Sequence, residues 1–224
     1  MTRNMLAVAS VAVVVLLTAA ALVIGSSTPA DVMLPTHWGL DGQPDSYSDK
    51  WTALLMPVLI VGGVSLLLYF MPVIEPRRRG LERSQGLYLA AWAGLLLIGC
   101  MIELAVASAA FNWPIHATSF ILGGVGALFV LIGNQLGKSR SMYLIGIRTP
   151  WTLASEEVWI KTHRLAGKLM VAGGVLLVIA AFLPLPSGLV ATLTLGVVAI
   201  AVGVPLVYSF ILWRRERGTD QSSA

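Results

Sequence analysis

Six apolar runs punctuate this chain, each about 20 residues long, the length of helix that crosses the hydrocarbon core of a bilayer. They fall at Met5–Gly25, Trp51–Ile74, Leu87–Phe111, Ala117–Leu136, Gly167–Leu183 and Leu189–Trp213. Two polar intervals stand out between them, residues 26–50 and residues 137–166. The connections at residues 112–116 and 184–188 are short enough to demand tight helical hairpins. The pattern predicts an all-α polytopic membrane protein of six transmembrane helices. It divides into an amino-terminal two-helix region, residues 1–86, carrying the interval 26–50, and a four-helix region, residues 87–224, carrying the interval 137–166. The first run exceeds the roughly 7–15 apolar residues of a signal sequence. Thr28-Pro29-Ala30 is a poor cleavage site, so this span is expected to be retained.

Composition strengthens the membrane reading. Hydrophobic residues make up 57% and charged residues 12% of the 224, with a mean hydropathy of +0.82. Soluble domains carry about 25% charged residues. Of the 15 Lys and Arg, Lys50 stands alone on one side. The others alternate onto the opposite side: Arg3, the cluster Arg77, Arg78, Arg79 and Arg83, six more within residues 134–168, and Arg214, Arg215 and Arg217. That asymmetry predicts a multi-pass protein of the bacterial cell membrane with both termini cytoplasmic. It also explains the net charge of +4 without nucleic acid. Pro76-Arg77-Arg78-Arg79 reads as the inner anchor; such a cluster can attract anionic lipid, although charge topology alone accounts for it.

The interval 26–50 is acidic, with Asp31, Asp41, Asp45 and Asp49 against Lys50. Asp41-Gly42 and Pro44-Asp45 are turn formers, so it is expected to fold back on itself. Its four Asp and His37 lack the alternation and terminal Glu of a calcium loop, and no metal is expected. Trp38 and Trp51 are expected at the outer headgroup level. Pro57 and Pro72, inside the second run, mark a kink or a boundary.

Inside the third run lies one carboxylate, Glu103, about eight residues or ~12 Å from the outer end. Gly99 and Ala107 flank it at four-residue spacing, which turns it toward a helix seam. A carboxylate at that depth is either functional or a hydrogen-bonding glue between helices. Gly133-x-x-x-Gly137, Gly173-Gly174, and Gly196 with Gly203 read as packing surfaces. The tail from Arg214 to Ala224 reads as short and disordered.

Catalytic chemistry finds little support. There is no zinc-protease helix, nucleophile elbow, P-loop or dinucleotide loop. His37 and His116 fall outside and His163 inside, so the three cannot meet. The single Cys100 sits mid-span. No enzyme activity and no cofactor are expected.

The interval from Asn134 to Lys168 is too specialised for a connector. It runs N-Q-L-G-K-S-R-S-M-Y-L-I-G-I-R-T-P-W-T-L-A-S-E-E-V-W-I-K-T-H-R-L-A-G-K. Ser155 is placed to cap a helix, with Glu156 and Glu157 in its first turn where the helix dipole favours negative charge. Trp159 and His163, four apart, share one face of that helix.

This stretch resembles the signature region of the SdpI family of bacterial membrane proteins. The outer stretch L-P-T-H-W-G-L-D-G-Q-P-D-S-Y-S-D-K-W resembles an amino-terminal domain of unknown function often found in the same chains. The family's signature falls here on Asn134, Gly146, Arg148, Thr149, Pro150, Trp151, Thr152, Glu157, Trp159, Thr162, His163 and Gly167. In the outer domain it falls on Pro35, His37, Gly42, Pro44, Asp45 and Lys50. The resemblance implies immunity against a secreted, membrane-active peptide toxin. It also implies a receptor role in which a cytoplasmic transcriptional repressor docks at the membrane. The inner motif is then the expected docking surface, with Trp151 and Trp159 as anchors, since Trp and Arg dominate binding hot spots. The alternatives are a small transporter or an envelope-stress sensor working through Glu103, and a membrane enzyme with His163 at the inner interface.

Overall fold

A computed structural model describes residues 2–39, 43–113 and 117–222 of the chain, without the side chains of residues 118 and 219–222. Eight helices and one strand pair are present among them: α1 (Arg3–Ser27), β1 (Met33–Trp38), β2 (Pro44–Asp49), α2 (Lys50–Ile74), α3 (Arg78–Arg83), α4 (Gln85–Ala110), α5 (Ala117–Leu136), α6 (Pro150–Ala154), α7 (Glu156–Ala181) and α8 (Ser187–Ser222). Six of these, α1, α2, α4, α5, α7 and α8, are long and apolar enough to cross a membrane. The protein is a polytopic membrane protein, with α1 and α2 packed on α4, and α5, α7 and α8 following in turn.

Three differences from expectation have local causes. The interval 26–50 does fold back, but as an antiparallel hairpin that pairs Met33 with Asp49 and Leu34 with Ser48. Leu34 and Pro35 point inward, and Leu34 packs on Ala21, Leu54 and Val106. The turn residues Asp41 and Gly42 lie outside the described residues, as does His116. Second, the fifth span does not begin at Gly167: capped by the Ser155 hydroxyl, which accepts from Val158 N–H at 3.2 Å, α7 runs unbroken from Glu156. Third, the described part of the tail is helical. α8 is helical to Ser222, held by the Ser155 hydroxyl donating to Glu216 at 3.0 Å and by Arg217 over the Trp213 ring at 4.4 Å.

Seams between helices are set by small residues and a few buried polar bonds. A Cβ added to Gly133 would fall 2.8 Å from the Gly167 carbonyl oxygen, and one on Gly167 would fall 2.6 Å from that of Gly133. Gly126 and Gly174 repeat the arrangement two turns away. α5 and α7 therefore touch backbone to backbone, as bare glycine surfaces allow. Gly196 and Gly203 do not follow the packing expectation, for nothing described lies within 4 Å of their Cβ positions. On the other side, Trp92 of α4 donates its indole N–H to Ser10 of α1 at 2.8 Å, with Ser65 of α2 at 3.3 Å.

At the hairpin end, Asp49 caps α2 by accepting from the backbone N–H groups of Trp51 and Thr52. Hydrogen bonds from Thr52 hold the Asp49 carboxyl below the ordinary carboxylate range. Both prolines of α2 are accommodated within one continuous helix.

Candidate functional site

After α5 the chain leaves regular structure for residues 137–149, yet this loop is not a surface strand of solvent-washed polar groups. Ser139, Ser141 and Met142 are buried, and a buried loop must find partners for its backbone. The amino-terminal half of the protein supplies several. Glu75, 1% exposed, sits just past the end of α2. Its carboxylate accepts from the N–H groups of Tyr143 at 3.0 Å, Leu144 at 2.9 Å and its neighbour Arg77 at 2.9 Å. Arg77 in turn donates to the Ser141 hydroxyl and to the Leu153 carbonyl at 3.2 Å. Its guanidinium lies 4.6 Å from the centre of the Tyr143 ring. Ser84 accepts from Arg140 N–H at 2.8 Å.

The other clamp comes from α6 and α7. His163 is fully buried, and its Nε2 accepts from Ile147 N–H at 2.9 Å while Nδ1 lies 2.8 Å from the Trp159 carbonyl. With one nitrogen accepting and the other facing a carbonyl, these partners assign a neutral ring with its proton on Nδ1. Trp159, also fully buried, donates its indole N–H to Ser139 at 3.1 Å. Gly146 must pass over this pair. Its φ of 121° suits glycine, and a Cβ there would fall 2.7 Å from His163 Nε2 and 2.8 Å from Trp159.

Thr149-Pro150-Trp151-Thr152 forms a capping box. Thr149 Oγ1 accepts from Thr152 N–H at 3.2 Å, and Thr152 Oγ1 accepts from Thr149 N–H at 2.8 Å, with Pro150 at the first helical position. The Thr152 hydroxyl also lies 2.8 Å from the Ile147 carbonyl. Trp151 reaches α8, donating to the Ser209 hydroxyl at 2.6 Å and packing on Phe210 and Trp213.

The motif therefore collapses into one buried polar knot, and this corrects one expectation. Trp159 cannot anchor a partner, because it is sealed beneath the loop; Thr152, Thr162 and His163 are sealed with it. Thr162 Oγ1 has no partner among the described residues. Arg148, Pro150 and Glu157 face outward, Arg148 donating to the Tyr143 carbonyl at 2.6 Å. Asn134 is exposed on α5, apart from the knot. Both ring nitrogens of His163 are engaged within the knot.

Residues 138–209 match the SdpI/YfhL protein family. That SdpI segment takes in most of the clasped loop, all of α6 and α7, and α8 as far as Ser209, the partner of Trp151. A domain of unknown function (DUF1648) matches residues 12–61, which cover most of α1, the hairpin and the first half of α2. The chain is also similar to the "Immunity protein SdpI" of Bacillus subtilis, at 24% identity over 149 residues, 66% of this chain and 69% of that protein. No solved structure matches.

The described signature residues of the interval 26–50 gather at the amino-terminal end of α2. His37 Nδ1 and Asp45 Oδ1 lie 2.6 Å apart across the hairpin, both exposed. Lys50 reaches the Thr28 carbonyl where α1 ends. Pro35 is buried and Pro44 opens β2. Glu103 belongs to neither group. It is 4% exposed, and neither carboxylate oxygen has a hydrogen-bond partner among the described residues. Its helix neighbours Gly99 and Val106 face α1 and α2. No group of His, Cys, Asp and Glu among the described residues is arranged to hold a metal.

Sequence reasoning missed Glu75, Ser84, Ser139 and Ser209, and read Arg77 as part of a basic membrane anchor without the loop contacts it makes. One signal was available: Glu75 is a lone carboxylate at the head of E-P-R-R-R.

Proposed function

We propose that this chain is a bacterial membrane immunity protein that protects its host from a membrane-active peptide. In this reading the hairpin faces outward and the basic end faces the cytoplasm. The observation that carries it is the likeness to an immunity protein over two-thirds of the chain; the distribution of Lys and Arg supports the orientation. The reading is non-enzymatic. Residues 1–86 serve the outer, sensing side, and residues 87–224 present the inner surface. A cytoplasmic regulator, a transcriptional repressor by family resemblance, docks on Arg148 and Pro150 with the basic flank of Lys161 and Arg164, all exposed. The buried knot of Trp159, Thr162 and His163 holds that surface in shape.

The test is protection. The full chain is expressed in a sensitive strain and challenged with membrane-active killing peptides, beside Arg148→Ala and Glu103→Gln, with membrane levels checked by blot. Survival is expected for the parent chain and for Glu103→Gln, and Arg148→Ala is expected to impair regulator capture in a crosslinking assay. Failure of the parent chain to protect against any peptide, at normal membrane levels, overturns the reading. A second reading rests on Glu103, whose unpaired buried carboxyl suits a coupling group in a small transporter or envelope sensor. Loss of protection in Glu103→Gln, at unchanged membrane level, would favour it.

A further inference from the structure

Where α2 leaves the apolar stretch, the start of α3 and the clasped loop enclose an open groove of about 590 Å³. Arg77, Arg78, Arg79 and Arg83 line one side and Arg140 the other, drawn together from segments more than fifty residues apart. The one carboxylate on its wall is Glu156, half exposed and 3.8 Å from Arg140. Glu75 does not line the groove, and its oxygens are committed to backbone N–H groups. Arg77 is held in place by Ser141 and Leu153. Arg78, Arg79 and Arg83 have no ion-pair or hydrogen-bond partner among the described residues, so three guanidinium groups remain open to a ligand.

Charge topology does not require this arrangement. It asks for positive charge at one end of the spans, a demand that Lys meets as well as Arg and that scattered charges meet as well as clustered ones. Here the lining cations are all Arg and they converge on one concavity, although like charges repel unless an anion lies between them. Arg presents a planar fork of N–H donors that matches phosphate oxygens two at a time. We propose that this groove is a binding site for a phosphate group, supplied by the headgroup of an anionic phospholipid or by free phosphate. The groove opens at the end of the α2 span, where a headgroup lies within reach.

The experiment uses the full-length protein in a neutral maltoside detergent at constant ionic strength. Thermal unfolding is followed by Trp fluorescence during titration with dihexanoyl phosphatidylglycerol, dihexanoyl phosphatidylcholine or inorganic phosphate. The expected result is a saturable rise in Tm with phosphatidylglycerol or with phosphate. Phosphatidylglycerol alone acting would identify the lipid headgroup as the source; phosphate acting as well would identify the free anion. Arg79→Gln/Arg83→Gln should weaken the apparent affinity about tenfold or more, the loss expected when charge-assisted contacts are removed. Arg83→Lys, which keeps the charge and removes the fork, should weaken it by a smaller factor. Lys138→Gln/Arg164→Gln, which removes two charges outside the groove, should leave it unchanged. Absence of an anion-dependent shift, an equal shift with phosphatidylcholine, or equal affinity in the groove and control variants would overturn the proposal.

Discussion

His163 lies flat on Trp159, ring centroids 4.0 Å apart and planes 17° from parallel. Their spacing of one helical turn makes the stack a direct product of sequence, and the loop above turns it into a lock. His163→Ala would leave the Ile147 N–H without its acceptor and open a hole beside Trp159. Together these should cost ~2–5 kcal/mol, from the unpaired donor and the cavity. His163→Gln, which retains an acceptor, should cost less. Denaturant midpoints of the two purified variants would decide it; equal midpoints would show that the Ile147 bond contributes nothing.

Gly146 is the point where the loop crosses that stack. Gly146→Ala puts a methyl against His163 and Trp159 and holds alanine at a φ of 121°. The strain alone should be ~1–3 kcal/mol. Limited proteolysis should then cut within residues 137–149 at protease levels that leave the parent chain intact.

Glu75 joins the two halves of the basic end. Glu75→Ala strands two loop N–H groups, and hydrogen bonds to a charged acceptor are worth about 1.5–3 kcal/mol each. Hydrogen exchange should accelerate at Tyr143 and Leu144 while the amides of mid-α7 stay protected. If the whole of α7 accelerated equally, the clasp would be holding the entire bundle and not the loop alone.

Glycine at the α5–α7 contact and glycine on the open face of α8 should respond oppositely. Gly167→Ala forces a methyl toward the Gly133 carbonyl and should destabilise by ~1–3 kcal/mol through overpacking. Gly203→Ala meets nothing described within 4 Å and should stabilise by up to ~1 kcal/mol through helix propensity. Thermal midpoints of the two variants in the same detergent check both signs.

The spans were legible because hydropathy writes them in runs, and the Ser155 cap and the Trp159–His163 face were legible because helical spacing is local. Glu75 was not. Its partners are backbone N–H groups 68 and 69 positions away, and backbone groups carry no signature in side-chain pattern. The α8 extension was hidden for a related reason. Arg, Glu and Ser after a span look solvated, but Trp151, Ser155 and Glu216 tie that extension to α6 and α7. The hairpin was half legible: turn residues announced the reversal, while β1, with Pro35 inside it, did not announce a strand. Trp159 was misplaced at the surface because a Trp in a basic segment resembles an interface anchor until the loop above it is seen.

α2 carries the hairpin on its first residue and the Glu75 clasp just beyond its last. A continuous helix of 25 residues is a stiff strut of roughly 37 Å at 1.5 Å per residue. Pro57 and Pro72 each leave a backbone carbonyl of that helix without its i+4 donor, so any bend in it is expected at those two positions. The hairpin and the clasped loop are thus tied to opposite ends of one helix, and the tie at the loop end is a single carboxylate.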